Sequence, residues 1–136
     1  MVTTPPGMSC PSVLIVDDDP SNLTVAERVL AGAGYAVSVA GAGASALHVL
    51  SEHGPFDVYV LDYLMPGMDG AELAHRIRAA QPDARVLYYS SFSPRLFRDT
   101  NVLRCDEAFL QKPASVRALR DAVSLLLSGS GQAIRG

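Results

Sequence analysis

Six polar side chains in this chain stand where chemistry is easiest to build. Asp17, Asp18 and Asp19 follow the apolar run Val13 to Val16, Asp62 follows Val58 to Leu61, Ser90 closes the run from Arg85 to Tyr89, and Lys112 follows Ala108 to Gln111. Asp62 opens a short loop, Tyr63-Leu64-Met65-Pro66-Gly67-Met68-Asp69-Gly70, closed by Pro and Gly and ending on an Asp able to cap a helix. A carboxylate at the end of a strand lies at the carboxyl edge of a sheet, where open α/β folds bind ligands. In the doubly wound strand order 2-1-3-4-5 the first and third strands are neighbours, so Asp17 and Asp18 would face Asp62 across the switch-point crevice. Three such carboxylates repel and raise one another's pKa unless a cation sits among them. Oxygen ligands with open positions suit Mg2+, which keeps waters and works with phosphate oxygens. A hydroxyl from Ser90 and an ammonium from Lys112 complete a set fit for phosphoryl transfer, in which positioning and charge neutralisation do most of the work.

The elements that must hold these groups are legible from the hydrophobic pattern. Five strand-like runs, the four named above and Ala36 to Ala40, alternate with helical patterns. That alternation predicts an α/β fold, a (βα)5 five-stranded parallel sheet, and the flavodoxin-like doubly wound order 2-1-3-4-5 is the arrangement that would set the acidic residues after the first strand beside Asp62. The first helix should begin near Pro20 after Asp19, with Leu23, Ala26 and Leu30 on one face, and Gly32 and Gly34 should stop it. A second helix, about Ala44 to Glu52, should carry Leu47 and Leu50 toward the sheet and end at Gly54-Pro55. A third begins at Asp69 with the capping-box pattern to Glu72, and places Leu73 and Ile77 on one stripe. The last runs from about Ser115 to Ser128, with Val116, Leu119, Val123 and Leu126 at helical spacing. Between Pro94 and Arg104 a short or irregular helix is expected, because Asp99, Thr100 and Asn101 are poor helix formers.

Bulk properties narrow the class. At 136 residues, 49% apolar and 18% charged, the chain has the size and composition of one globular domain. Residues 1–11 are expected as a disordered tail, 12–128 as the domain, and 129–136 as a flexible tail or the start of a linker. Net charge is -3 with no basic stripe, which argues against direct nucleic-acid binding. Ten of the 11 basic residues are Arg, leaving Lys112 as the only lysine. Cys10 and Cys105 lack metal-ligand spacing, and reduced thiols in a cytoplasmic compartment are the expected state. No apolar run reaches the roughly 18 residues that would span a membrane, and Met1 to Pro11 has no signal-peptide pattern.

Val16-Asp17-Asp18, the segment Asp62 to Gly70, Ser90, and Phe109-Leu110-Gln111-Lys112-Pro113 together resemble the receiver domain of two-component response regulators, of the CheY-like superfamily. The resemblance covers about Pro11 to Ser128. It implies that Asp62 is the phosphoacceptor, taking a phosphoryl group from a phosphohistidine of a sensor histidine kinase or histidine phosphotransfer protein. It further implies Mg2+ held by Asp18 and Asp62, by Asp17 through water, and by the backbone carbonyl of Leu64. Lys112 would pair with the acceptor carboxylate and then the phosphoryl group, with a cis peptide to Pro113. Ser90 would bind the phosphoryl group, and the rotamer of Phe109 would report the resulting loop movement. The implied protein is a signalling switch or phosphorelay member, self-phosphorylating and open to autodephosphorylation but not a turnover enzyme, acting as a monomer or a weak phosphorylation-dependent dimer.

Three features depart from the commonest pattern of that family. Phe109 stands for the frequent Tyr and has no hydroxyl, Ser91 replaces a usual Ala or Gly, and Cys105 occupies a position often held by Gly. Leu64 and Phe92, two residues after Asp62 and Ser90, flank the path of a hydrolytic water and are expected to slow hydrolysis. Other residues take plainer readings: Asp19 as a helix cap, Tyr88 and Tyr89 as strand packing, His48, His53 and His75 as solvated, and Arg95, Arg98, Arg117 and Arg120 as a solvated face. Two alternatives stand beside the phosphoacceptor: a degenerate receiver serving only as an interaction module, and a haloacid-dehalogenase-like phosphatase with Asp17 as nucleophile and Asp19 as general acid.

Overall fold

The computed structural model describes residues 10–91 and 107–128. In chain order the elements are β1 (Ser12–Val16), α1 (Pro20–Gly32), β2 (Ala36–Ala40), α2 (Gly43–His53), β3 (Val58–Leu61), α3 (Gly70–Ala80), β4 (Val86–Ser90), β5 (Glu107–Gln111) and α4 (Val116–Leu127). The expected helix between Pro94 and Arg104, with Phe92, Arg95, Arg98 and Cys105, lies outside the described residues, as do 1–9 and 129–136. The five strands form one parallel sheet in the order β2-β1-β3-β4-β5, the flavodoxin-like topology expected.

Residues of β1, β3, β4 and β5 are mostly buried on both faces, which is why these strands read as apolar runs, while β2 at the sheet edge is largely half-exposed. Alternation along each strand divides the core. Leu14, Val16, Tyr59, Leu61, Val86, Tyr88 and Phe109 face α2 and α3, packing on Ala46, Leu73 and Ile77. Val13, Ile15, Val58, Val60, Leu87, Ala108 and Leu110 face α1 and α4, packing on Leu30, Leu119, Val123 and Leu126. The β1 strand is anchored below by Asp57, whose carboxylate accepts from the Ser12 N–H at 2.7 Å, while the Pro11 carbonyl accepts from Ala36 at 2.9 Å.

Two helix starts follow the capping chemistry expected of them, and Ser115 caps a third. Asp19 accepts from the Ser21 N–H at 2.9 Å, Asp69 from Glu72 at 2.8 Å, and Ser115 from Ala118 at 3.0 Å. Each such cap is worth about 1 kcal/mol. The Glu72 carboxylate, expected to reach back in a capping box, instead meets Arg76 one turn on at 2.8 Å. Leu47 and Leu50 pack against the core as expected, half-buried beside the buried Gly43 and Ala46 of α2. One further expectation is corrected: Val116 is 54% exposed, and the buried stripe of α4 begins at Leu119.

No helix among the described residues is long and apolar enough to cross a membrane.

Candidate functional site

The carboxyl ends of β1, β3, β4 and β5 surround one crevice of about 600 Å3. Pairing of β1 with both β2 and β3 continues past the strand ends: the Asp17 N–H donates to Ala40 at 3.2 Å and the Asp62 N–H to Val16 at 2.9 Å. These bonds fix the two backbones side by side. The carboxylates of Asp17, Asp18 and Asp62 thereby converge, with one oxygen of each within 4.8 Å of the others. Asp17 is buried and Asp18 exposed, so the cluster has a solvent side.

The loop after β3 is shaped by two glycines. Gly67 takes φ +82°, a left-handed conformation that a Cβ disfavours. Gly70 donates its N–H to the Tyr63 carbonyl at 2.7 Å, and a Cβ there would lie 2.5 Å from the Asp62 carbonyl oxygen. The loop therefore closes tightly under Asp62, and its Leu64 is 55% exposed.

The other strand ends supply the complementary groups. Ser90 is fully buried and its side chain hydrogen-bonds Asp62. The Lys112 N–H donates to the Ser90 carbonyl at 2.8 Å, which sets the end of β5 beside that of β4. The Lys112 ammonium bonds Asp17 Oδ2 and stands 4.0 Å from Asp62 Oδ2. Asp17 uses its other oxygen to accept the Asp19 N–H at 2.9 Å. Burial pushes the Asp62 carboxyl above its ordinary pKa; the Ser90 bond and Lys112 pull it down, and Asp17 and Asp18 push it up again. The peptide between Lys112 and Pro113 is cis, as expected, and so is that between Gly54 and Pro55.

Of the residues singled out from sequence, Asp17, Asp18, Asp62, Ser90 and Lys112 come together here. Asp19 is taken up in capping α1, with Oδ2 also accepting from Asn22 at 3.3 Å, a poor fit to a general acid. Phe109 is buried in the core beneath the site, on the face of α2 and α3. His48 is 72% exposed, as expected of a solvated residue. Phe92, the second rim residue expected, lies outside the described residues. The two tyrosines of β4 do more than pack in a strand. Tyr88 meets the Tyr63 ring edge to face at 5.5 Å, and Tyr89 lines the crevice with its ring 5.3 Å from the Lys112 ammonium. Adjacent aromatics in a strand carry no local signal of which faces a site, and only the strand order distinguishes them.

An open parallel sheet of this order, with an acid cluster at its switch point, is the architecture of CheY-like signalling proteins. Comparison with known proteins makes the class specific. The response regulator receiver domain family matches residues 13–124, and the chain belongs to that family. The response regulator receiver protein CpdR of Brucella abortus is 31% identical over 85% of this chain and 95% of its own length. The sensor kinase CckA of the same organism is 32% identical over 85% of this chain, which spans only 12% of that kinase. Among solved structures, the response regulator TrrA of Thermotoga maritima in complex with Mg2+-BeF is 30% identical, with a TM-score of 0.74 over 86% of this chain and 99% of that one. The chain is thus a receiver domain of two-component signalling, a phosphoacceptor class and not a turnover enzyme.

Proposed function

We propose that Asp62 accepts a phosphoryl group from the phosphohistidine of a sensor histidine kinase or histidine phosphotransfer protein, and that the product switches a protein-interaction surface. The observation that carries this reading is the meeting of Asp62 with two further carboxylates, a buried hydroxyl and the chain's only lysine at one sheet edge. An Asp62 oxygen attacks phosphorus, the N–P bond breaks, and the imidazole keeps the electron pair. Ser90, already bonded to Asp62, is placed to bind the incoming oxygens. Lys112 can follow the charge from carboxylate to phosphoryl group, since its ammonium lies between Asp17 and Asp62. Phe109 of β5 then reports the change through its ring position, with no hydroxyl on the ring to bond the neighbouring loop.

The donor set fits a hard divalent cation: three carboxylates, all oxygen, with one exposed member through which water can enter. Asp18 and Asp62 would hold Mg2+, with Asp17 acting through water and the Leu64 carbonyl completing the protein ligands. When bound, Mg2+ supplies positive charge that offsets carboxylate repulsion and the charge of the transferred group. The test is incubation with acetyl phosphate followed by intact mass measurement. One phosphoryl mass per chain, dependent on Mg2+, is expected; labelling independent of metal, or none, refutes the reading.

Two variants examine individual roles. Leu64 is exposed two residues after Asp62, and its apolar side chain would leave a water attacking the phosphoryl group without a hydrogen-bond partner. Leu64→Asn should shorten the phosphoprotein lifetime several-fold in a dephosphorylation time course, and an unchanged or longer lifetime would sink the assignment. Lys112→Ala should not weaken Mg2+ binding, because the ammonium it removes both repels a cation and competes for the Asp17 carboxylate. It should also abolish the conformational response to phosphorylation. Tyrosine fluorescence can follow both, since the chain has no Trp and Tyr63 adjoins Asp62. A full response in the variant would remove Lys112 from the switch.

A further inference from the structure

Tyr89 enters the crevice from the opposite face of β4 to Ser90. It pairs in register with Leu110 of β5 and packs with the group around α1 and α4, while Ser90 pairs with Gln111. Its half-buried ring reaches the crevice wall beside Asn22, Val25 and Pro113. Lys112 arrives from the next strand end, and its ammonium lies 5.3 Å from the ring centroid. That distance is within the range at which the negative face of an aromatic ring attracts a cation.

The ring differs in kind from the other partners of this ammonium. Asp17 and Asp62 draw it by charge, and the charge at Asp62 changes when a phosphoryl group is added. Lysine has a flexible four-carbon stem, so an ammonium held by carboxylates alone would move with every redistribution of charge among them. A π face is uncharged and constant through the reaction. It also covers one side of a side chain that is only 13% exposed, keeping water from that side.

We propose that Tyr89 is a positioning residue for Lys112: its ring, and not its hydroxyl, holds the ammonium in the crevice before and after phosphoryl transfer. The inference rests on the reading of Asp62 as phosphoacceptor. It assigns to the residue before Ser90 a role separate from strand packing.

The lone lysine makes the test clean, because lysine labelled with 13C at Cε gives one side-chain signal. In the unaltered protein the ε protons of Lys112 should be shifted upfield by the Tyr89 ring current. Tyr89→Phe should keep that shift, and Tyr89→Leu should lose it. With acetyl phosphate and saturating Mg2+, Tyr89→Leu should be labelled about three- to tenfold more slowly, the range a partly desolvated cation–π contact supports, and Tyr89→Phe within about twofold of the unaltered protein. In a Lys112→Ala background Tyr89→Leu should have no further effect. Tyr89→Met serves as the second ring-less variant should Leu disturb folding, and the ε-proton shift of the unaltered protein is read independently of any variant. Unshifted ε protons, an unslowed ring-less variant, or an equal slowing without Lys112 overturns the proposal while leaving Asp62 as acceptor. A protein that takes no label at any donor concentration overturns the phosphoacceptor reading and the proposal with it.

Discussion

Asp62→Asn is expected to take no phosphoryl label and to melt at a higher temperature than the unaltered protein. The first effect follows because an amide oxygen is too weak a nucleophile to replace the carboxylate. The second follows from the electrostatics of the crevice in the absence of metal. Burial, followed by the charges of Asp17 and Asp18, holds the Asp62 carboxyl above its ordinary value in spite of Ser90 and Lys112. A carboxyl whose folded pKa exceeds its unfolded one binds protons more tightly in the native state, so its contribution to stability falls as pH rises between the two values. The penalty is absent below the unfolded value of about 3.9 and grows as pH rises through the folded one. Relief of that penalty should appear as a higher Tm, each 1 kcal/mol being worth about 3–6 °C in a domain of this size. Melting both proteins in EDTA at pH 7 and again near pH 3.5 checks the sign: the gap should be present at the first and closed at the second. A gap that widens on acidification would contradict this account of the site.

Glu107→Ala should cause the largest loss of stability. Glu107, at the start of β5, is buried and receives the Arg78 guanidinium from the last turn of α3 at 2.7 Å, with the pair's side chains 8% and 11% exposed. The Arg78 guanidinium also donates to the Ala84 carbonyl at 3.1 Å, and the Tyr88 hydroxyl approaches the same Glu107 oxygen at 3.4 Å. Burial, followed by the Glu107 charge, pushes the Tyr88 hydroxyl well up, so it remains a donor. Removing one member of a buried ion pair costs about 3–5 kcal/mol, because the other keeps its desolvation without the opposing charge. That should lower Tm by about 10 °C or more. The double variant Arg78→Met, Glu107→Leu should recover most of the loss, since apolar replacement of a whole buried pair is often neutral. Urea unfolding of the three proteins decides it. A single-variant loss under about 1 kcal/mol would show that the charges are already solvated.

The fold was legible because parallel strands covered on both faces leave continuous apolar runs, and because Asp19, Asp69 and Ser115 mark helix starts with local chemistry. The site was legible for a related reason. Each of its groups directly follows or closes a strand, so strand order alone brings Asp17, Asp18, Asp62, Ser90 and Lys112 together. What the sequence could not show are contacts set by side-chain direction between distant segments. Arg78 and Glu107 are 29 positions apart with no motif linking them, and periodicity cannot indicate that an acidic residue at the start of a strand turns inward. The same holds for Tyr89, whose neighbour Tyr88 has an identical side chain and opposite surroundings. Val116 has the right spacing for the α4 stripe, but spacing does not say where along a helix burial begins.

The placement of Lys112 has a consequence for how this protein responds to covalent chemistry. The only side-chain amine in the chain is 13% exposed and bonded to Asp17. Acylation or carbamylation there would remove its charge and leave Asp17 and Asp62 facing one another without it. An amine-directed reagent thus has a single side-chain target, and every adduct it forms on a side chain is also a modification of the crevice. Protection of that amine against such a reagent is a direct measure of how closed the crevice is.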